Sequence, residues 1–185
     1  MTQAPLMDRI HITEDYDVPR VINGGWQLSA GHALERPLDL ADASRAFNRL
    51  IDMGFDTFDC ADIYTGVEDF FGGIIRERRK AGLRLPQIHT QFVPDLNDLA
   101  NVTPAYVENI ITRSLRRLGV ERLDAVQFHW WDYSVPGMVD VAGELVRLQE
   151  KGLIRLISTT NFNAVELRKL IDAGIPVATN QCQYS

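Results

Sequence analysis

The chain has 185 residues, of which 45% are apolar and 24% charged, a composition typical of one globular domain. Its formal charge of -6 and sequence pI near 5.2 lack the basic excess that a nucleic-acid or anionic-membrane surface requires. No stretch reaches the roughly 18 apolar residues of a membrane span, and residues 1–20 contain no apolar signal segment. We therefore expect a cytoplasmic protein without a nucleic-acid or membrane partner.

The polar residues 1–20 are interpreted as an N-terminal arm, and residues 21–185 as one α/β domain. The segment 20–28 predicts a first strand that runs into Gly24, Gly25 and Trp26. Paired glycines let a backbone approach another group closely, but they also form plain turns. The two glycines alone favour the turn.

The most informative stretch is an apolar strand that ends in polar residues, over 55–64. Asp59 lies near the end of this strand, and Tyr64 follows just beyond it. In a barrel of parallel strands, the carboxyl ends and the loops after them carry the chemistry, while the opposite end serves stability. The carboxylate and the phenol are therefore predicted to lie at the functional mouth of a sheet.

Helical and strand patterns alternate along the rest of the chain. Helices are predicted to begin at Asp39, Val67, Pro104 with Thr103 as N-cap, Pro136, and a capping box of Asn163 and Glu166; Gly54, Gly119, Gly152 and Gly174 end helices. Further strands are predicted over 87–93, 123–128, 153–158 and 177–180. About six alternations at this spacing require parallel strands with crossover helices. The sequence thus predicts an α/β fold, a βα barrel cut short after its sixth strand.

Polar side chains recur where the predicted strands end. They are Asp59 with Tyr64, then Gln91, His129, Thr160 with Asn161, and Gln181. Each alone is more often a core or loop residue than a functional one. Their recurrence at one mouth, beside Trp26, Trp130 and Trp131, favours a small-molecule site with aromatic walls. The alternative is that the three tryptophans simply cover the barrel.

Four motifs carry a resemblance to a known family. They are Asp59-x-Ala61-x-x-Tyr64, Leu123-Asp124 followed by His129-Trp130, Thr160-Asn161-Phe162, and Asn180-Gln181 with Tyr184-Ser185. Together they resemble the aldo-keto reductases, from about Val21 to the last residue. The resemblance implies a (β/α)8 TIM barrel that binds NADPH and transfers a hydride from its nicotinamide to an aldehyde or ketone.

The resemblance also implies a role for each strand-end residue. Tyr64 would protonate the developing alkoxide, His129 would orient the carbonyl oxygen, and Asp59 would belong to the charge network beneath Tyr64. The nicotinamide side would be held by Thr160, Asn161 and Gln181, with Gly25 also on the cofactor side. The tryptophans Trp26, Trp130 and Trp131 would line the substrate pocket.

Two features depart from the family pattern. Gln91 stands where the family has a lysine, and an amide has no charge with which to lower the pKa of Tyr64. Slow turnover biased towards reduction is therefore expected, and the alternative is a catalytically impaired NADPH-binding barrel that acts as a sensor or regulatory protein. The second departure is length, because two further strands are expected in a longer reductase of which this chain would be a part.

Other chemistries have little support in the sequence. A Schiff-base aldolase needs a lysine at a strand end, and the only lysines, Lys80, Lys151 and Lys169, lie in or beside predicted helices. A metal hydrolase needs about three protein ligands, whereas His129 and Asp132 are the only nearby pair. We therefore expect no metal, and we interpret Cys60 and Cys182 as buried thiols in a reducing compartment.

Overall fold

The computed structural model describes residues 8–30 and 39–184, which form two compact units. The first unit contains residues 8–30, 39–89 and 117–119, and the second contains 90–116 and 120–184. The start of the predicted arm, residues 1–7, and Ser185 of the last family motif lie outside the described residues.

The first unit opens with an antiparallel hairpin that the sequence analysis did not predict. Strand β1 (Arg9–Thr13) pairs with β2 (Tyr16–Pro19) as a separate two-stranded sheet. The strand predicted over 20–28 is wrong in length, since β3 covers only Asn23–Gly24 and a 3₁₀ turn follows over Trp26–Leu28. β3 pairs with β4 through only two residues, and the chain leaves the sheet after Gly24. The next residue, Gly25, donates its N–H to the Asp59 carbonyl at 2.7 Å.

Parallel pairing then continues from β3 to β4 (Thr57–Asp59) and on to the start of β5 (Gln87–Phe92). Helix α1 (Leu40–Asp52) precedes β4, and α2 (Val67–Lys80) lies between β4 and β5. The predicted N-cap of α1 is confirmed, because the Asp39 carboxylate accepts two backbone N–H bonds of 3.0 Å. Four phenylalanines form the aromatic core of this unit, with contacting ring centroids 5.0 to 5.6 Å apart: Phe47, Phe58, Phe70 and Phe71.

A buried carboxylate joins the hairpin to this sheet. The Asp56 side chain is 1% exposed and accepts a 2.8 Å bond from Arg9 Nη1, while Arg84 pairs with its other oxygen. A buried carboxylate is costly unless cations and hydrogen bonds compensate for its lost hydration. Arg9 also binds Asp17 at 2.7 Å, so one guanidinium connects both strands of the hairpin with the residue before β4.

The second unit repeats the strand–helix alternation. Helix α3 (Pro104–Leu118), whose last two residues belong to the first unit, is followed by β6 (Leu123–Phe128), α4 (Met138–Glu150), β7 (Ile154–Thr160), α5 (Ala164–Asp172) and β8 (Val177–Gln181). β6 pairs with β7 and β7 with β8, both in parallel. The pairing of β7 with β8 has a register shift between Ile157 and Thr159. The predicted α/β layout with parallel strands is therefore confirmed in each unit.

Helix starts were predicted well where a side chain caps the helix. Thr103 Oγ1 accepts from the Tyr106 N–H at 3.2 Å, and the Asn163 side chain accepts two N–H bonds of 3.0 Å. The predicted start of α4 at Pro136 is wrong, because α4 begins at Met138. Its N-cap, Gly137, has φ 108, a left-handed conformation that separates Pro136 from the helix.

Among the described residues, no helix is long and apolar enough to cross a membrane.

A buried histidine anchors the hairpin in the first unit. Tyr16 and His89 are 1% and 8% exposed, and the Tyr16 hydroxyl lies 2.9 Å from His89 Nε2. The two rings stack at a centroid distance of 5.9 Å. Burial lowers the pKa of His89 from 6.5 to about 4, because the protonated ring would lose its hydration.

This shift makes the fold sensitive to acid. Between pH 6.5 and about 4 the unfolded chain takes up a proton that native His89 does not, so the free energy of unfolding decreases as the pH falls. The full effect is about 3 kcal/mol. Urea unfolding at pH 7 and pH 4.5 should show a smaller acid-induced loss in His89→Gln than in wild type. The exposed His11 is the control, and His11→Gln should keep the wild-type loss; an equal loss in His89→Gln would contradict the assignment.

Candidate active site

In the first unit, Asp59 and Tyr64 lie at the carboxyl end of β4. Asp59 is the last residue of the strand and is half-buried, as is Tyr64. The segment between them is a compact turn, in which the Tyr64 N–H donates to the Ala61 carbonyl at 3.1 Å. The Tyr64 carbonyl in turn accepts from Val67, the first residue of α2, at 3.1 Å. The phenol is thus carried by a turn that both β4 and α2 hold in place.

An ion pair that the sequence analysis missed supports this turn. Arg117 Nη1 donates to the Asp62 carbonyl at 3.0 Å and to Glu68 Oε2 at 3.1 Å, and the Glu68 side chain is only 1% exposed. Arg117 lies in the last turn of α3, where a basic residue by itself suggests only a solvated helix end. Its partners are distant in sequence, so the local pattern around Arg117 gives no signal of this role.

Gly25 occupies a place with no room for a side chain. A Cβ atom there would lie 2.8 Å from Val67 Cγ1, 2.9 Å from Phe71 Cε2 and 3.1 Å from the Asp59 carbonyl oxygen. The close approach that the paired glycines suggested is therefore real. Its partners are α2 and the end of β4, which accounts for the glycine by packing.

In the second unit, His129 follows β6 and carries an unpaired nitrogen. The backbone N–H of His129 donates to the Phe92 carbonyl at 3.0 Å. Its ring packs edge on against the Trp131 ring, with a centroid distance of 4.5 Å. His129 Nε2 is buried and has no hydrogen-bond partner among the described residues. A buried polar atom without a partner costs about 1–3 kcal/mol, so this nitrogen is a candidate for contact with a ligand.

Burial lowers the pKa of His129, and a hydrogen bond from the ring to the Thr160 carbonyl opposes that shift in part. Because Nε2 has no partner, this bond uses Nδ1. The lowered pKa makes the ring neutral at pH 7, with its proton on Nδ1 and a lone pair on Nε2. Nε2 can therefore donate a hydrogen bond only from the protonated ring.

Gln91, in β5, binds a residue at the end of β8. Its Nε2 donates to Gln181 Oε1 at 3.4 Å, and the Thr160 hydroxyl donates to the same oxygen at 3.4 Å. The second unit thus brings together three of the predicted site residues, Gln91, Thr160 and Gln181.

Asn161 follows β7 in an uncommon backbone conformation. It has φ 60, and it is the only non-glycine residue with positive φ in the described part of the chain. Its N–H donates to the Gln181 carbonyl at 2.7 Å, while its side chain is exposed. A strained residue with a free amide at a strand end is typical of functional loops.

The three tryptophans have different environments. Trp26 and Trp131 are 46% and 47% exposed, and Trp131 Nε1 donates to the Pro94 carbonyl at 2.8 Å. Trp130 is only 2% exposed, packs against Phe128, and donates from Nε1 to the Val135 carbonyl at 3.3 Å. Its placement favours a role in the core of the second unit.

No group of three or more His, Cys, Asp or Glu residues suited to a metal ion occurs in residues 8–30 and 39–184. Cys60 is buried as predicted, but the prediction that Cys182 is buried is wrong. Cys182 lies just beyond the end of β8, where it is exposed and its sulfur accepts a 3.0 Å bond from Asn180 Nδ2.

Comparison with known proteins identifies related sequences and a related fold. A family model described as the aldo/keto reductase family matches residues 20–185. The chain is 27% identical over 184 residues to the methylglyoxal reductase DkgA of Yersinia pestis, and 30% identical over 183 residues to an aldo-keto reductase of Mycobacterium sp. (strain KMS). The fold resembles the crystal structure of a Bombyx mori aldo-keto reductase in complex with NADP, with a TM-score of 0.77 at 22% identity.

These similarities extend over nearly all of this chain but little more than half of each relative. The alignments cover 99%, 97% and 96% of the chain, and in each case 58% of the Yersinia, Mycobacterium and Bombyx proteins.

The packing at Gly25 predicts a loss of stability on substitution. Gly25→Ala should lower the free energy of unfolding by about 1–3 kcal/mol, because the methyl group would overlap Val67 and Phe71. Gly24→Ala is the matched control, since a Cβ there meets nothing within 4 Å and should change stability by less than about 0.5 kcal/mol. Urea unfolding measures both. Equal stability of the two variants, with a loss of NADPH affinity in Gly25→Ala, would instead support a cofactor role for Gly25.

Proposed function

We propose that this protein reduces aldehydes or ketones with NADPH. The chain belongs to the aldo/keto reductase family, whose members are NADPH-dependent oxidoreductases acting on carbonyl groups. The observation that carries the proposal is the set of polar residues that ends successive parallel strands in both units. β4 ends at Asp59, β7 at Thr160 and β8 at Gln181, and His129 directly follows β6.

In this proposal the six strands β3 to β8 are the first six of an eight-stranded barrel. The fold similarity to the Bombyx protein supports it, since 96% of this chain matches 58% of that one. The two remaining strands would supply further contacts to the cofactor. The negative charge of the chain supports a protein without a nucleic-acid partner, and a cytoplasmic location is part of the same proposal.

The residues of the second unit suit the nicotinamide end of NADPH. Its carboxamide needs both donors and acceptors, and the side-chain amide of Gln181 carries one group of each kind. The exposed Asn161 amide and the Thr160 hydroxyl would complete the set, and Gly25 would lie beside the cofactor in the first unit. Bound NADPH would supply the hydride. The chain's own residues have only to bind, orient and protonate.

Tyr64 is proposed as the proton donor. Reduction of a carbonyl places negative charge on its oxygen, and a phenol aimed there stabilises that charge and delivers the proton. Asp59 would belong to the charge network beneath it. His129 would orient the same oxygen through Nε2 only in its protonated form, because its Nδ1 proton is engaged and its lowered pKa disfavours a proton on Nε2. Most of the polarisation would therefore come from Tyr64.

Gln91 is proposed to slow the reaction. A lysine at this place would stabilise the phenolate of Tyr64 and ease its loss of a proton, whereas the Gln91 amide is neutral and bound to Gln181. The same observation favours the second candidate function, an NADPH-binding sensor with little turnover. NADPH binding without turnover over a broad panel of carbonyl compounds would decide for the sensor.

The proposed substrate is an apolar carbonyl compound. The rings of Trp26 and Trp131 are both about half exposed and would contact it, while Trp130 would support the pocket from the core. Aromatic walls with few polar groups suit such a substrate.

The first test is NADPH oxidation that depends on an added carbonyl compound, in the naturally expressed protein. Tyr64→Phe should lower kcat by about 10² to 10⁴, the usual contribution of acid–base catalysis. Tyr106→Phe is the matched control, because its hydroxyl accepts a bond from the Asp95 N–H, and it should keep wild-type kcat. Wild-type turnover in Tyr64→Phe would exclude this phenol as the acid.

The second test restores the missing charge. Gln91→Lys should raise kcat, by up to about 10²-fold, because a cation would favour the proton transfer from Tyr64. Gln91→Met has a similar length and no charge, and it also removes the bond to Gln181, so it separates the two effects. An unchanged rate in Gln91→Lys would rule out the charge as the cause of slow turnover.

A further inference from the structure

Residues 159–162 comprise the last two residues of β7 and the turn that follows, and they contain two of the proposed cofactor-binding residues, Thr160 and Asn161. We refer to this segment as the β7–α5 loop. Asn161 has φ 60, a left-handed conformation that is sterically costly for most L residues and is tolerated best by asparagine and aspartate. The contacts that hold this loop therefore decide how the two residues are presented.

The carboxamide of Asn180, in β8, binds both ends of the loop. Its Oδ1 accepts from Thr159 Oγ1 at 2.9 Å and from the Phe162 N–H at 3.3 Å. Its Nδ2 donates to the Phe162 carbonyl at 2.9 Å and to Cys182 Sγ at 3.0 Å. A neutral amide is needed here, because the site requires an acceptor and a donor on the same short side chain.

Tyr133, from the segment between β6 and α4, binds the loop at its middle. Its hydroxyl donates to the Asn161 carbonyl at 3.2 Å, and its ring packs edge on against Phe162 at a centroid distance of 5.4 Å. The peptide groups on either side of the Asn161 Cα are thus both held, since the Asn161 N–H binds the Gln181 carbonyl.

We propose that Asn180 and Tyr133 are positioning residues that fix the β7–α5 loop so that Thr160 and Asn161 meet the nicotinamide end of NADPH. This inference rests on the proposed function. Neither residue is assigned a contact with the cofactor. Both act through the backbone of the loop, which they hold with side-chain hydrogen bonds from two different elements.

The test measures NADPH affinity in the naturally expressed protein, by titration of its tryptophan fluorescence. Asn180→Ser removes the carboxamide and should raise the Kd by about tenfold, while Tyr133→Phe removes one hydrogen bond and should raise it about fivefold. In steady-state kinetics, the KM for NADPH should rise more than kcat falls. Tyr133→Phe keeps the packed ring, so it provides the answer even if Asn180→Ser does not fold.

Amide hydrogen exchange of the protein without cofactor measures how firmly the loop itself is held. The Asn161 N–H does not bind Asn180, so its faster exchange in Asn180→Ser would show that the whole loop has loosened. Two control variants remove comparable groups elsewhere in the second unit, Asn101→Ser at an exposed position and Tyr106→Phe at the Asp95 contact. Both should keep the wild-type Kd and the wild-type exchange at Asn161.

The outcomes separate this inference from the proposed function. Wild-type binding of NADPH with an unchanged Kd in both Asn180→Ser and Tyr133→Phe would overturn the inference alone. A wild-type protein that does not bind NADPH would overturn the proposed function and the cofactor role of the loop together. A raised Kd with faster exchange at Asn161 supports both.

Discussion

Parallel strands cannot be joined by a tight turn, so each returns through a helix and neighbouring carboxyl ends lie at the same edge of their sheet. Both units obey this constraint, with β3, β4 and the start of β5 in one, and β6, β7 and β8 in the other. Polar residues at the ends of these strands therefore lie close together within a unit although they are far apart in the sequence. The bond network of Gln91, Thr160 and Gln181 is an example, since 90 residues separate its ends.

The sequence predicted well those features that depend on local chemistry. Strand β6 was predicted with the correct bounds, and Asp39, Thr103 and Asn163 cap their helices as expected. These features depend on apolar runs, or on a side chain that accepts a hydrogen bond from a backbone N–H group at most three residues away. The strand-end residues were found for the same reason, because a strand's end is visible in its own sequence.

Features that depend on distant partners were not predictable in this way. The hairpin of β1 and β2 lies in a polar segment whose Arg9 and Tyr16 acquire meaning only from Asp56 and His89. Arg117 looked like an ordinary basic residue at a helix end until its contact with Glu68 was known. Asn180 was predicted only as part of a family motif, since nothing in the adjacent sequence reveals that its amide binds the β7–α5 loop.

The hairpin has a consequence for how this family's domain is delimited. The family match starts at residue 20, yet the cation that faces buried Asp56 comes from residue 9 and the phenol that faces His89 from residue 16. A protein produced from residue 20 onward would retain every motif of the family. It would also leave Asp56 without Arg9 and His89 without Tyr16, so the folded unit extends beyond the family match by a whole hairpin.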